Sequence, residues 1–238
     1  MQATTPTLCP WLHSSLGKAI LDAEQQRLRT PLGNERGTRL AQLGCVGRNL
    51  MTASTMPHHI QIKTDAGLEA PFDLYAAAAA LPLDQGSLDA LLLHHTLETV
   101  NDPHGVLREA ERVLAGEGTL FILGFNPHSY WALWRMIGIA CPPRRVPLLN
   151  LHRLCDWLKL LDLTVESVET FFPLPPFNNQ QFLTSLEILR PLDKLPLPVL
   201  HALYLVRARK HRAPLTPTRI RWQVRNPVLV GGLAEPST

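Results

Sequence analysis

Little in this sequence ties it to a membrane, a disulfide scaffold or a metal finger. No window of its 238 residues reaches the roughly 18 uncharged apolar residues of a membrane span. Met1 to Pro10 lacks the basic flank and apolar run of a signal peptide. Cysteine is scarce, and Cys9, Cys45, Cys141 and Cys155 are scattered with no C-x-x-C pair. That argues against a disulfide framework or zinc ribbon and for reduced thiols in a cytoplasmic protein. A strong charge of one sign is lacking too. Lys and Arg total 23 against 20 for Asp and Glu, so the chain as a whole is no polycation drawn to nucleic acid. No internal linker forces a split into two domains.

Core-forming material is plentiful, with 45% hydrophobic residues and 18% charged ones. Ser14 to Arg29 predicts a first helix, with Leu16, Ala19, Ile20 and Ala23 on one face. Thr38 to Leu43 reads as a short strand running into a glycine turn, and His59 to Lys63 as a second strand. Five consecutive alanines, Ala76 to Ala80, carry no period. Leu88 to Leu93 is a continuous apolar run of strand length, the signature of a strand covered on both faces. Asp102 before Pro103 predicts a helix start, Gly116 and Gly118 its end, and Thr119 to Gly124 another buried strand. Helices are expected from Asn126-Pro127, over Leu151 to Leu161 and near Gln180 to Leu189. Strands are expected around Leu163 to Phe171 and over Val199 to Ala208. Strands alternating with helices predict an α/β, doubly wound, mainly parallel sheet. Such a sheet binds ligands at the carboxyl ends of its strands.

The stretch Leu81 to Leu123 reads LPLDQGSLDALLLHHTLETVNDPHGVLREAERVLAGEGTLFIL. In order and spacing it resembles the second half of a type-11 methyltransferase domain, a class I S-adenosylmethionine-dependent fold. Three further segments resemble the YafS-like bacterial branch: Gly124 to Trp131, Arg153 to Leu161 and the closing LTPTRIRW. The resemblance implies a Rossmann-like seven-stranded sheet whose last strand runs antiparallel. It covers most of the chain, from Trp11 to the tail, and implies a domain over residues 1–210 with a helical insert at about 126–161, followed by a basic, proline-containing tail at 211–238. It implies S-adenosyl-L-methionine as cofactor and methyl transfer to an acceptor, small molecule or macromolecule, that the sequence does not identify. The alternative is a non-catalytic binding or regulatory protein on the same fold.

The family cradles the cofactor's methionine part with glycines after the first strand, where a Cβ would block the ligand. Here the turn is LGCVGRN, which places Gly44, Cys45 and Gly47 at that position and reduces G-x-G-x-G to G-x-x-G. A carboxylate for the ribose hydroxyls belongs at the end of the second strand. That strand ends Ile62-Lys63-Thr64-Asp65, so Asp65 is the candidate. The acid expected just before the Leu81-Pro82 turn aligns with Ala77, and Ala78 is expected beside the adenine. His94 is expected on the sulfonium side. His95 could act as general base, oriented by Glu98 one helical turn on. Plain loop histidines are the blander reading of the pair. A metal site joining His58-His59 to His94-His95 lacks carboxylate or cysteine support, so none is expected. Asp89 is read as a structural strand start and Asn126 as a helix cap. Trp131, Trp134 and Trp157 are expected to roof the acceptor site. Arg207, Arg209, Lys210 and Arg212 open a basic stretch that could bind RNA, although a solvated surface or an anchoring tail is the simpler reading.

Overall fold

The computed structural model describes residues 8–44, 48–64, 72–136, 146–173 and 200–211. Its elements run in chain order as α1 (Leu8–Leu12), α2 (Ser15–Asn34), β1 (Arg39–Gly44), β2 (His58–Lys63), β3 (Leu74–Tyr75) and β4 (Leu88–His94). Then come α3 (Pro103–Val113), β5 (Leu114–Phe125), α4 (Tyr130–Met136), α5 (Leu151–Leu160), β6 (Leu163–Phe171) and β7 (Leu203–Lys210). The sheet has seven strands in the order β3-β2-β1-β4-β5-β7-β6. Strands β1 to β5 pair in parallel, and β7 is antiparallel to both β5 and β6. The order reverses between β1 and β4, which opens the ligand crevice of a doubly wound sheet above those two strand ends.

Local chemistry sets the helix starts. Ser14 caps α2, its side chain accepting from Gly17 N at 3.1 Å. Asp102 caps α3 through Gly105 N at 2.9 Å, with Pro103 at the first helical position. Alternate strand residues feed two separate cores. Leu40, Ala90, Leu92, Phe121, Leu123 and Leu205 pack under α1 and α2. Leu43, Leu91, Leu93, Ile122 and Val206 pack under α3 and α5. The Leu81-Pro82 turn is held from α3: Glu109 Oε1 accepts from Leu81 N at 2.7 Å, while Arg112 donates to the carbonyls of Leu81 and Leu83. Glu109 and Arg112 of α3 therefore clamp that turn.

Three expectations change. The segment after α3 does not stop at Gly116 and Gly118, because β5 begins at Leu114 and passes through an irregular pairing, with Glu117 left-handed at φ 71°. The last strand is shifted: β7 starts at Leu203 and continues to Lys210. Its cations are therefore not the start of a free tail. Arg207 pairs with Glu35, Arg209 with Glu166 at 2.5 Å and Lys210 with Glu111 at 2.8 Å. Cys9 is disulfide-bonded rather than a free thiol, whereas Cys155 is free. Asp89 is structural as expected, its Oδ2 accepting from Thr38 N, Thr38 Oγ1 and Arg39 N at the amino ends of β1 and β4. Those bonds outweigh the effect of burial and hold its carboxyl below the usual range. The expected helix near Gln180 to Leu189 lies outside the described residues. Among the described residues, no helix is long and apolar enough to cross a membrane.

Candidate functional site

Gly44 ends β1 and pairs with His94 at the end of β4 on one side and with Lys63 at the end of β2 on the other. It sits at φ +129°, where an L side chain is strained, and an added Cβ would lie 2.2 Å from the His94 carbonyl oxygen. Glycine is therefore required by the close approach of β1 and β4 and by its own positive φ. Beyond the turn, the buried Gln42 side chain fixes the chain: it donates to Arg48 O at 3.0 Å and accepts from Leu50 N at 2.9 Å. Cys45, Gly47 and Asp65 lie outside the described residues.

Behind this crevice lies an acid–imidazole cluster with no solvent exposure. Glu24 on α2 places Oε2 3.0 Å from His94 Nε2 and Oε1 2.8 Å from His95 Nε2. His95 Nδ1 lies 2.7 Å from Glu98 Oε2, and Glu98 Oε1 accepts from Phe125 N at 2.5 Å. His95 itself is left-handed at φ 50°, a conformation that costs on the order of 1–3 kcal/mol. That turn lets its backbone N–H reach Leu123 O at 3.1 Å while the ring stacks on Phe125, centroids 4.4 Å apart.

Electrostatics fix the protonation of the cluster. Burial alone would raise the pKa of Glu24, but His95 and His94 outweigh it and hold the carboxyl at about 2. Burial alone would lower that of His95, but Glu24 and Glu98 outweigh it and push the imidazole up to about 10. Both ring nitrogens of His95 are engaged by carboxylates, Nε2 by Glu24 and Nδ1 by Glu98. Tyr204, also buried, lies beside Glu98 and Gly124; burial first, then the Glu98 charge, pushes its phenol well above the ordinary value.

The sequence reading brought His94, His95 and Glu98 together correctly but missed Glu24, 70 residues upstream of His94. One signal was available. Leu16, Ile20, Glu24, Leu28 and Leu32 run at steps of four along α2, and all five are buried. An acid inside an apolar stripe needs a partner. His58 and His59 stand apart: Leu40 pairs with His59 and Gly44 with His94, so about 13 Å of strand separates the two groups. Ala78 is buried in the α3-side core, whereas Ala77 is exposed. Asn126 caps its turn by accepting from His128 N at 3.0 Å and donates to His201 O at 2.9 Å. Trp131 and Trp157 do not form one roof. Trp131 belongs to the core under α2, and Trp157 packs with the α3 side near His104.

The fit to a nucleoside cofactor is good at one end and weaker at the other. A left-handed glycine at the switch point, followed by a pinned segment, suits a ligand that approaches the backbone closely. At the end of β2 the last residue is Lys63, 7% exposed with its ammonium 5.6 Å from the Phe72 ring, rather than a carboxylate.

Comparison with known proteins agrees with this geometry. Residues 33–122 match the family model described as a methyltransferase domain. The chain is 31% identical over 210 residues to YafS, an uncharacterised protein of Escherichia coli (strain K12), covering 87% of this chain and 80% of that one. A S-adenosylmethionine-dependent methyltransferase from Thermotoga maritima, described as a possible histamine N-methyltransferase, superposes with a TM-score of 0.58 at 17% identity, over 80% of this chain and 89% of that one. One from Archaeoglobus fulgidus gives 0.59 at 17% identity, over 80% and 94%. Membership implies S-adenosylmethionine as the cofactor. The chain belongs to the class I S-adenosylmethionine-dependent methyltransferases of the type-11 domain family, in the branch that contains YafS.

Proposed function

We propose that this chain catalyses transfer of a methyl group from S-adenosylmethionine to a nucleophile on an acceptor bound above the ends of β1 and β4. The observation that carries the reading is Gly44 at the β1/β4 switch point, at φ +129° against His94. The cofactor, when bound, supplies a methyl group made electrophilic by its sulfonium sulfur. Gly44, Cys45 and Gly47 would shape the methionine end, Asp65 would take the ribose hydroxyls, and Ala78 and His94 would line the adenine and sulfonium sides. The displacement is in line, so the contribution of the chain is alignment of donor and acceptor, with water kept out.

His95 and Glu98 act in this reading as positioning residues rather than as a base. Held between Glu24 and Glu98, the His95 ring fixes the loop that follows β4, and both of its nitrogens are already engaged. Lys63 at the ribose end favours a second reading, a binding protein with a weakened pocket. Incubation of the purified protein with methyl-labelled S-adenosylmethionine and cell extract separates the two. Transfer of label that depends on the protein supports the enzyme, and its absence at every extract concentration supports the second reading.

A further inference from the structure

We propose that Glu24, His94 and His95 form a buried site for a divalent first-row transition ion, zinc in the first place. Oε1 and Oε2 of Glu24 and Nε2 of each imidazole converge, and one ligand atom from each residue lies within 4.8 Å of the others. Each residue offers one ligand atom, so the three side chains supply three donors and a catalytic-type open fourth position. Two imidazoles and a carboxylate match the preference of zinc for nitrogen and oxygen donors. Donors 2.0–2.1 Å from a tetrahedral ion lie about 3.3 Å apart. The observed spacings of 3.0 Å and 2.8 Å need only a small opening of the cluster.

Two further observations point the same way. His95 Nδ1 is already held by Glu98 Oε2 at 2.7 Å, which leaves Nε2 as the ligating nitrogen. Metal-bound imidazoles are oriented by a carboxylate in this way. The charge count also favours an ion. Glu24 and Glu98 carry two negative charges into a volume without solvent exposure. A divalent cation with two neutral imidazoles brings the total to zero, whereas protons reach the same balance only with both rings charged. The ion would fasten α2 to the end of β4 directly behind Gly44. This runs against the sequence expectation of no metal, which rested on the absence of a carboxylate near the histidines.

The site is tested without S-adenosylmethionine, so its failure is distinct from failure of the methyl-transfer reading. Untagged full-length protein is analysed for metal by mass spectrometry, stripped with a chelator, and titrated with Co(II) and then Zn(II). The expected result is one ion per chain, with visible Co(II) bands that Zn(II) abolishes. His94→Gln should lose the ion. Glu98→Gln keeps all three ligands and should weaken binding by about 10–100-fold. His104→Gln, on α3, should bind as wild type. Metal at well below one per chain together with no Co(II) bands overturns the proposal, as does a folded His94→Gln that binds like wild type. If the cluster variants do not fold, the wild-type stoichiometry and Co(II) bands decide.

Discussion

Glu24 and His95 are 71 residues apart in sequence and meet at 2.8 Å, each without solvent exposure. The contact joins α2 to the loop after β4. Removing the acid leaves two imidazoles facing an apolar helix stripe. Glu24→Ala should lower stability by about 3–5 kcal/mol, the cost of orphaning one side of a buried pair. Urea unfolding checks it, and a midpoint equal to that of wild type would show that the pair contributes nothing.

The pH dependence of chelator-treated protein follows from the same residues. Glu24 is held at about 2 against 4.5 unfolded, so its stabilisation is complete above pH 4.5 and is lost as pH falls towards 2. His95 is held at about 10 against 6.5, so its contribution is complete below pH 6.5 and is lost as pH rises towards 10. From these two groups, stability should be greatest between pH 4.5 and 6.5 and fall on both sides. Thermal melts of wild type and His95→Gln test this. A wild type flat from pH 6.5 to 10, parallel to the variant, would contradict the assignment of a buried imidazolium.

Asp89 gives the control at the amino ends of β1 and β4. Asp89→Ala strands the backbone N–H groups of Thr38 and Arg39 and should cost about 1–3 kcal/mol. It should leave affinity for S-adenosylmethionine unchanged, since its bonds lie at the amino end of β1. A loss of affinity at full folding would move the site away from the strand ends described above.

Much of this fold was legible because its strands are short and strongly marked. β6 was read at its observed limits, Leu163 to Phe171, and α3 was signalled by Asp102-Pro103. β5 was read late because Gly116-Glu117-Gly118 looks like a stop and is instead an irregularity inside the strand. Glu24 was missed because pairing across 70 residues leaves no local signal beyond an acid in an apolar stripe. The cations of β7 were misread because their partners, Glu35, Glu111 and Glu166, come from other elements.

Those pairings also set the expectation for nucleic acid. Neutralising Arg207 and Arg209 should destabilise the protein through Glu35 and Glu166 rather than reduce a phosphate contact. No RNA binding is expected at physiological salt. Tight binding that falls steeply with salt and is lost in the Arg207→Gln, Arg209→Gln variant would reverse this.

The central claim is that the turn after β1 holds S-adenosylmethionine, and calorimetric titration with that ligand and with S-adenosylhomocysteine tests it most directly. Binding should be detectable but weak, because Ala77 stands where an acid is expected and Asp65 comes two positions after Lys63, the last residue of β2. Each charge-assisted hydrogen bond lost or weakened there, at about 1.5–3 kcal/mol, corresponds to ~10-fold or more in affinity. Gly47→Val should abolish the remaining heat while leaving the fold intact. No heat with either ligand in folded wild-type protein, or binding unaffected by Gly47→Val, would contradict the account.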